Sequence, residues 1–438
     1  MEKKKSSYEV YFDGGYLTTE TVFCGLKLRK KVKPGRTRFY INGIKLISYK
    51  NNYTLKDLIP FGYDFSFAHS VQDIEKYLES TGEENKELLL VCTDSIGDYL
   101  LWRNFIEDIR NSERYERYKI SMIACETYRH FLEYLDSDKL HQIFYVPGRF
   151  ENLSARKLIS LRRKLHIEGL ATYYDTVIFC SVNAARDDKF KAEQLITGNV
   201  ISRVSILHNH SQFRRSPFDL LKFTYVHRNY DDIFLHDFLK SKIFFSNILG
   251  KELPIEFPRI ALPKTLHPEN NENYVVINPC GYDEYRCWHR ANWAELITWF
   301  HEHELEVVIV CLEKERKFCE LIQHLCKVKI KYFVGLPVAD LLAKLNGAKL
   351  YIGADSGIFH AAAALDMKCI ALSAGSSYFR FMNYPKERTN VRVLFPEGVE
   401  NWIHKRKKFD LEPDLSNFSI NSIRVSDVKF HCTHLLGL

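Results

Sequence analysis

Twice along this chain, short apolar strand-like runs alternate with amphipathic stretches of helical period, and that rhythm leaves few folds open. The first series opens at Leu88-Leu89-Leu90-Val91-Cys92 and continues through a helix at Tyr99–Arg110, a strand at Ile120–Ala124, a helix at Thr127–Leu135, a basic helix at Ser154–His166, and strands at Ile143–Val146, Thr176–Ser181 and Val204–Leu207. The second opens at Tyr274–Asn278 and runs through Trp293–His303, Glu306–Val310, Glu315–Cys326, Lys331–Phe333, Val338–Asn346, Lys349–Ile352, Ile358–Leu365 and Lys368–Leu372. Strands alternating with helices predict parallel sheets covered on both faces. The expected class is α/β, with two Rossmann-like domains in tandem.

At 438 residues the chain has room for two such domains and an extension. Residues 1–82 read as a β-rich accessory region, with strands at Tyr8–Phe12, Arg38–Ile41 and Ile44–Ile47 and hairpin signals at Asp13-Gly14-Gly15 and Asn42-Gly43. A linking helix is expected at Val71–Leu78 and a polar linker at Ser80–Asn85. The first α/β domain is placed at 83–265 and the second at 266–420, because Pro254, Pro258, Pro263 and Pro268 make their neighbourhood a connector. Residues 421–438 are expected to form a helix returning to the N-terminal domain.

No apolar run approaches the ~18 residues that span a bilayer, and the lysine-rich start is not followed by the apolar core of a secretory signal. The chain is expected to stay in the cytoplasm. Eleven cysteines stand singly, without pairs two to four residues apart, so reduced buried thiols are expected and no metal site. The net charge of +7 is uneven: Lys27, Arg29, Lys30, Lys31, Lys33, Arg36 and Arg38 crowd one stretch. Such a cluster attracts lipid headgroups, a phosphorylated glycan or nucleic acid alike, or simply keeps a hairpin edge from aggregating.

Three strand-loop-helix junctions carry chemistry. In Lys349–Leu365 a strand ends near Gly353 and a helix opens around Ser356-Gly357, so backbone N–H groups and a helix dipole suit a diphosphate. Gly357 admits close approach, His360 is placed to donate to a phosphate oxygen, and Asp355 to accept from a sugar hydroxyl; Asp355 and Ser356 are also ordinary helix caps. In Asn278-Pro279-Cys280-Gly281-Tyr282-Asp283-Glu284-Tyr285-Arg286, the lone cation Arg286 is suited to neutralising a departing phosphate. In Cys92-Thr93-Asp94-Ser95-Ile96-Gly97-Asp98, Asp98 is placed as a general base or a helix cap, with Asp94 as the rival base.

Taken in order, Ser95-Ile96-Gly97-Asp98, Asn278-Pro279, Arg286-x-Trp288, Glu315-Arg316, Gly335-x4-Asp340-Leu341-Leu342-Ala343 and Gly353-Ala354-Asp355-Ser356-Gly357-x2-His360-x-Ala362-Ala363-Ala364 resemble glycosyltransferase family 9, the ADP-heptose:lipopolysaccharide heptosyltransferases and their relatives. The resemblance runs from about Leu88 to the C-terminus. It implies a GT-B fold, two Rossmann-like domains facing a central cleft, with an acceptor domain at 83–265 and a nucleotide-sugar donor domain at 266–420. It implies inversion at the anomeric carbon, no metal, and no cofactor beyond a nucleotide-sugar donor such as ADP-heptose. Asp98 resembles the catalytic base. Arg286 stands where the family has a lysine, Glu315 resembles the acid near the nucleoside, and Asp355, Ser356, Gly357 and His360 match donor contacts; Asp94, Asn278 and Gly281 are secondary candidates. Cys280-Gly281-Tyr282 and Cys311-Leu312 depart from the family pattern.

The implied acceptor is a glycan, a glycolipid of lipopolysaccharide type or a protein, met at the inner face of the cytoplasmic membrane with the basic residues touching anionic lipid. An epimerase or hydrolase of nucleotide sugars, a protein heptosyltransferase and a non-catalytic scaffold are the alternatives. No specific nucleic-acid binding is expected: His208-Asn209-His210 lacks a nuclease context, Lys405–Lys408 reads as a solvated loop, and Trp288, Trp293 and Trp299 are spaced for packing.

Overall fold

The computed structural model describes residues 86–170, 173–180, 192–193, 195–197, 235–263, 266, 273–281, 284–406 and 418–438, and the strand backbones at 7–13, 16–23, 26–33, 36–41, 44–49, 201–208 and 225–227. The expected helix at Val71–Leu78, the linker at Ser80–Asn85, Asn209-His210 and Lys407-Lys408 lie outside the described residues.

The N-terminal strands form an antiparallel meander of β1 (Ser7–Asp13), β2 (Tyr16–Phe23), β3 (Leu26–Lys33), β4 (Arg36–Ile41) and β5 (Ile44–Tyr49). Three of these were expected from their apolar content; β2 and β3 escape because Thr and Glu fill the middle of β2, Thr18–Thr21, and Lys and Arg take five of the eight positions of β3. The basic cluster falls on β3 and β4, with Lys31 opposite Arg38 and Lys33 opposite Arg36.

A six-stranded sheet follows, built from β6 (Glu87–Cys92), β7 (Lys119–Cys125), β8 (Gln142–Val146), β9 (Tyr173–Phe179), β10 (Ile201–His208) and β11 (Tyr225–His227), in the order β11-β10-β9-β6-β7-β8. Strands β6, β9, β10 and β11 pair in parallel. Its helices include α1 (Ile96–Trp102), α2 (Phe105–Arg110), α3 (Arg129–Leu135), α4 (Ala155–Leu165) and α5 (Asp237–Leu249). The single helix expected at Tyr99–Arg110 is broken into α1 and α2. Arg103 turns its guanidinium onto Asp136 at 2.8 Å and onto the Arg259 carbonyl, and Asn104 exchanges two hydrogen bonds with the Arg259 backbone.

The second sheet contains β12 (Tyr274–Asn278), β13 (Glu306–Cys311), β14 (Lys331–Val334), β15 (Leu350–Ala354), β16 (Cys369–Leu372) and β17 (Val391–Leu394), all parallel, in the order β14-β13-β12-β15-β16-β17. The helices α6 (Arg290–Glu302), α7 (Arg316–Leu325), α8 (Val338–Asn346), α9 (Gly357–Ala364), α10 (Val399–Arg406) and α11 (Val425–Leu436) accompany it. Both sheets thus show the 3-2-1-4-5-6 order of a doubly wound Rossmann fold.

By internal contacts the chain falls into two compact units. One comprises 1–91, 117–123 and 149–229; the other comprises 92–116, 124–148 and 230–438. In the second unit Val275, Ile277, Ile309, Ile352 and Leu372 of the sheet pack with Trp288, Trp293, Leu296 and Phe300, burying the large rings that this core needs. Residues 421–438 need correction: rather than returning to the N-terminal domain, α11 inserts Val428 and Cys432 into this same core, and Trp288 Nε1 donates to the Ile423 carbonyl at 3.0 Å. Among the described residues no helix is long and apolar enough to cross a membrane.

Candidate active site

In open α/β sheets of this order, ligands gather beyond the carboxyl ends of the strands where the winding reverses. In the second sheet that point lies between β12 and β15, where Asn278 pairs with Gly353. Asn278 ties the ends of β12 and β13 to the turn before α9. Its amide donates to the Val310 carbonyl at 3.0 Å, and its side-chain oxygen accepts from Ser356 Oγ at 3.1 Å. Ser356 stands at the N-cap of α9, but its hydroxyl is directed to Asn278 and does not cap the helix. The first-turn N–H groups of α9 therefore lack a side-chain cap, an arrangement suited to an anionic ligand.

Asp355 is buried beside this turn. Its Oδ2 accepts from Ser373 Oγ at 3.3 Å, Ser377 also hydrogen-bonds it, and Arg286 Nη1 lies 3.5 Å from Oδ1. Burial pushes its carboxyl pKa up, while Arg286, the two serines and Arg380 pull it back. Asp355 thus anchors its loop before any sugar hydroxyl arrives. Arg286 comes from the 3-10 turn Glu284–Arg286, and Gly281 makes room for it: a Cβ at 281 would lie 2.5 Å from Arg286 Cβ. Arg286 Nε also donates to the Tyr285 hydroxyl at 3.2 Å.

Glu315 accepts from the Leu312 N–H at 2.9 Å and so caps its own turn after β13; burial raises its pKa. Its charge also acts on Tyr351 in β15.

Asp98 and Asp94 belong to the same compact unit as these residues. Ser95, not Asp98, is the N-cap of α1, and Asp98 closes a capping box by accepting from the Ser95 N–H through Oδ2 at 3.1 Å. Oδ1 is held by Arg380 Nη2 at 2.8 Å. Asp94 is buried just ahead of the cap. The far end of α1 is fixed by Asp136, which takes hydrogen bonds from the Tyr99 hydroxyl and from Arg103.

The glycine at 357 also has a packing role. It lets α1 and α9 cross closely: a Cβ there would meet Ile96 Cγ2 at 2.4 Å, and a Cβ at Gly97 would meet His360 Cδ2 at 3.1 Å. His360 is itself 3% exposed, its Nδ1 lies 2.8 Å from the Tyr384 hydroxyl, and its ring stacks on that tyrosine. Burial, aided by neighbouring His236, lowers its pKa to about 3. At neutral pH the position offers a neutral imidazole built into the packing, not an imidazolium.

The cysteines of this region are isolated in sequence only. Cys280 adjoins Cys287 and Cys319, and Cys319 adjoins Cys311. The ten described cysteines are all unbridged, and no cluster able to hold a metal occurs among the described residues. Sequence reasoning missed Arg380, Asp237, Ser373, Ser377 and Tyr384. The available signal was the lone cation within Tyr378-Phe379-Arg380-Phe381-Met382, an aromatic run with no other polar residue.

The model of glycosyltransferase family 9 (heptosyltransferase) matches residues 212–409. Lipopolysaccharide heptosyltransferase 3 from Escherichia coli is 29% identical over 116 residues, covering 26% of this chain and 34% of that protein. The chain thus matches about a third of the length of this curated relative. Among solved structures, the glycosyl transferase family 9 from Veillonella parvula DSM 2008 has a TM-score of 0.60 at 16% identity, covering 82% of this chain and 99% of that one. E. coli heptosyltransferase WaaC with ADP has a TM-score of 0.58 at 17% identity, covering 80% and 99%. The resemblance to glycosyltransferase family 9 read from the sequence therefore holds: residues 212–409 match the family's model, and the fold is one that its solved members share.

Proposed function

We propose that the protein is an inverting glycosyltransferase that moves a sugar, heptose or a relative, from a nucleotide-diphosphate donor to a hydroxyl of a lipopolysaccharide-type glycan. What supports this reading is that the start of α1, which carries Asp98, packs through Ile96 and Gly97 against Gly357 and His360 of α9, whose N-terminus has no side-chain cap, and that Arg286 lies 3.5 Å from Asp355 just ahead of that helix.

In this reading the donor diphosphate lies over the first turn of α9, beside Arg286. Asp98 takes the proton of the acceptor hydroxyl as its oxygen attacks the anomeric carbon from the face opposite the leaving group. The bond from that carbon to the phosphate oxygen breaks, and the nucleoside diphosphate leaves with the electron pair. Charge developing on the phosphate is met by the Arg286 guanidinium and the α9 N–H groups, fixed donors that need no reorganisation as charge builds. A positive charge supplied in this way leaves no step that calls for a metal. Asp355 and His360 act by holding the donor loop, Asn278 by joining it to β12, and Glu315 by shaping the turn after β13.

A panel of nucleotide sugars, scored by thermal stabilisation and by product formed with and without a core glycan acceptor, tests the proposal. Saturable stabilisation by one nucleotide class, with product only when acceptor is present, is expected. Rapid hydrolysis or epimerisation without acceptor would replace transfer with the nucleotide-sugar hydrolase or epimerase reading, and no stabilisation by any nucleotide would sink both.

A further inference from the structure

Arg380 lies in the turn Tyr378–Met382 after β16, where nothing in the transfer chemistry requires a cation. Its Nη2 lies 2.8 Å from Asp98 Oδ1 and 3.1 Å from Asp237 Oδ2, and its Nε donates to that same Asp237 oxygen at 3.1 Å. The guanidinium carbon sits 4.1 Å above the Phe381 ring, so the planar group is held from its face as well as its edge. Asp237, near the start of α5, is bound in turn by Lys240 Nζ at 2.6 Å, and Lys240 also donates to the Phe379 carbonyl. Arg380 is therefore forked between two acids, Asp98 and Asp237, with Lys240 bound to the second of them.

Other ionisable groups lie around this set, Asp355 among them, whose carboxyl Arg380 also draws down. From α9, His360 is buried and neutral. From α5 come Asp237 and Lys240, which pair with each other. Tyr128 stacks on Tyr99, the next residue along α1, and Asp94 precedes the helix.

We propose that Arg380 is the positioning residue for Asp98: it keeps that carboxylate ionised and aimed, and it retains Asp237 as a partner at the moment Asp98 takes up the acceptor's proton. The inference rests on the reading of Asp98 as the base. A carboxylate oxygen can accept two hydrogen bonds, so the Arg380 contact fixes the group without exhausting its basicity. When Asp98 becomes a neutral acid, the guanidinium still faces one carboxylate and is not stranded. Lysine could not do both, since a point charge lacks the planar fork that spans two acids.

Two variants, Arg380→Met and Arg380→Lys, test this through the pH profile of kcat/KM and through a 13C titration of the Asp98 carboxylate, its signal assigned by its loss in Asp98→Asn. In Arg380→Met, loss of an adjacent guanidinium should move both the acid limb and the titration up by about 1–2 pH units. Nucleotide affinity should change by less than about threefold, ~0.65 kcal/mol. Arg380→Lys should restore most of the pH shift while turnover stays low. An Asp98 titration that does not move in Arg380→Met overturns the proposal; so does an unmoved profile accompanied by lost nucleotide binding. Should the Met variant fail to fold, a Lys variant with wild-type turnover overturns the forked role, and one with reduced turnover and a near-normal titration supports it. Failure of the base reading shows separately, as wild-type turnover in Asp98→Asn.

Discussion

Gly357 is the position at which a single methyl group most directly probes how the site is built. An alanine there would place its Cβ 2.4 Å from Ile96 Cγ2 and 3.3 Å from both Ile96 Cβ and Cγ1. Carbon contacts settle at ~3.5–4.0 Å, so α1 and α9 would have to part by about 1 Å, or Ile96 would have to leave its rotamer. Ile96 is β-branched and stiff at χ1, which closes the cheaper route. Overpacking of this kind costs about 1–3 kcal/mol. Alanine returns at most ~1 kcal/mol of helix propensity, and less at the first helical position. The net expectation for Gly357→Ala is a loss of about 1–2 kcal/mol. With a urea m-value of about 3 kcal/mol/M, the unfolding midpoint falls by ~0.3–0.7 M. Trp288 and Trp293 are fully buried in the same unit, so their fluorescence follows the relevant transition. Combining Gly357→Ala with Ile96→Ala should cost less than the sum of the two single changes, with a coupling of about 1 kcal/mol. A neutral single variant, or strict additivity in the double, would refute the claim that this glycine serves the helix crossing.

Three further outcomes follow from the same geometry. His360 has a folded-state pKa pulled down to about 3 by burial, against 6.5 for the unfolded chain, so the unfolded state binds the extra proton in that interval and stability falls as pH drops from 6.5 towards 3. His360→Gln should flatten that limb by about 1.4 kcal/mol per pH unit, read from urea midpoints across the interval. Asp355 has its pKa raised above 3.8 by burial, so here the folded state binds the proton more readily and stability declines as pH rises from 3.8 through the raised value. Asp355→Asn should therefore compare worse with wild type at the acid end of that window than at the neutral end, by the same midpoints. Asn278→Ala strands the Val310 carbonyl and Ser356 Oγ and should cost about 1–3 kcal/mol together with a measurable loss of nucleotide affinity by calorimetry.

The two parallel sheets were legible because most of their strands are apolar on both faces, and a run such as Val275-Val276-Ile277 leaves little else to build. The ends of β6, β12 and β15 stood out as candidate site positions for a related reason: glycine, serine, asparagine and aspartate follow the apolar run where a buried strand opens into a loop. Helix α5 was not legible, since Lys240 and Ser241 occupy fully inward positions and mask its apolar face until Asp237 is seen to pair with the lysine. Arg380 could not be linked to its partners from sequence, because Asp98 and Asp237 lie 282 and 143 residues away. The packing role of Gly357 was hidden for the same reason. Conformational freedom is a property of the residue, but the atom that needs the space, Ile96 Cγ2, comes from a distant segment.

The central claim is that donor holding and proton transfer reside in different residues of one site, and Asp98→Asn separates them most directly. The substitution is nearly isosteric, retains an acceptor for the Ser95 N–H, and removes the basic oxygen. Calorimetric affinity for the nucleotide-sugar donor and single-turnover transfer to acceptor should be measured on the same preparation. The expected result is donor binding within about threefold of wild type, with transfer reduced by at least ~100-fold, the lower range for loss of a general base. Transfer at the wild-type rate, or loss of donor binding in parallel with transfer, would contradict it.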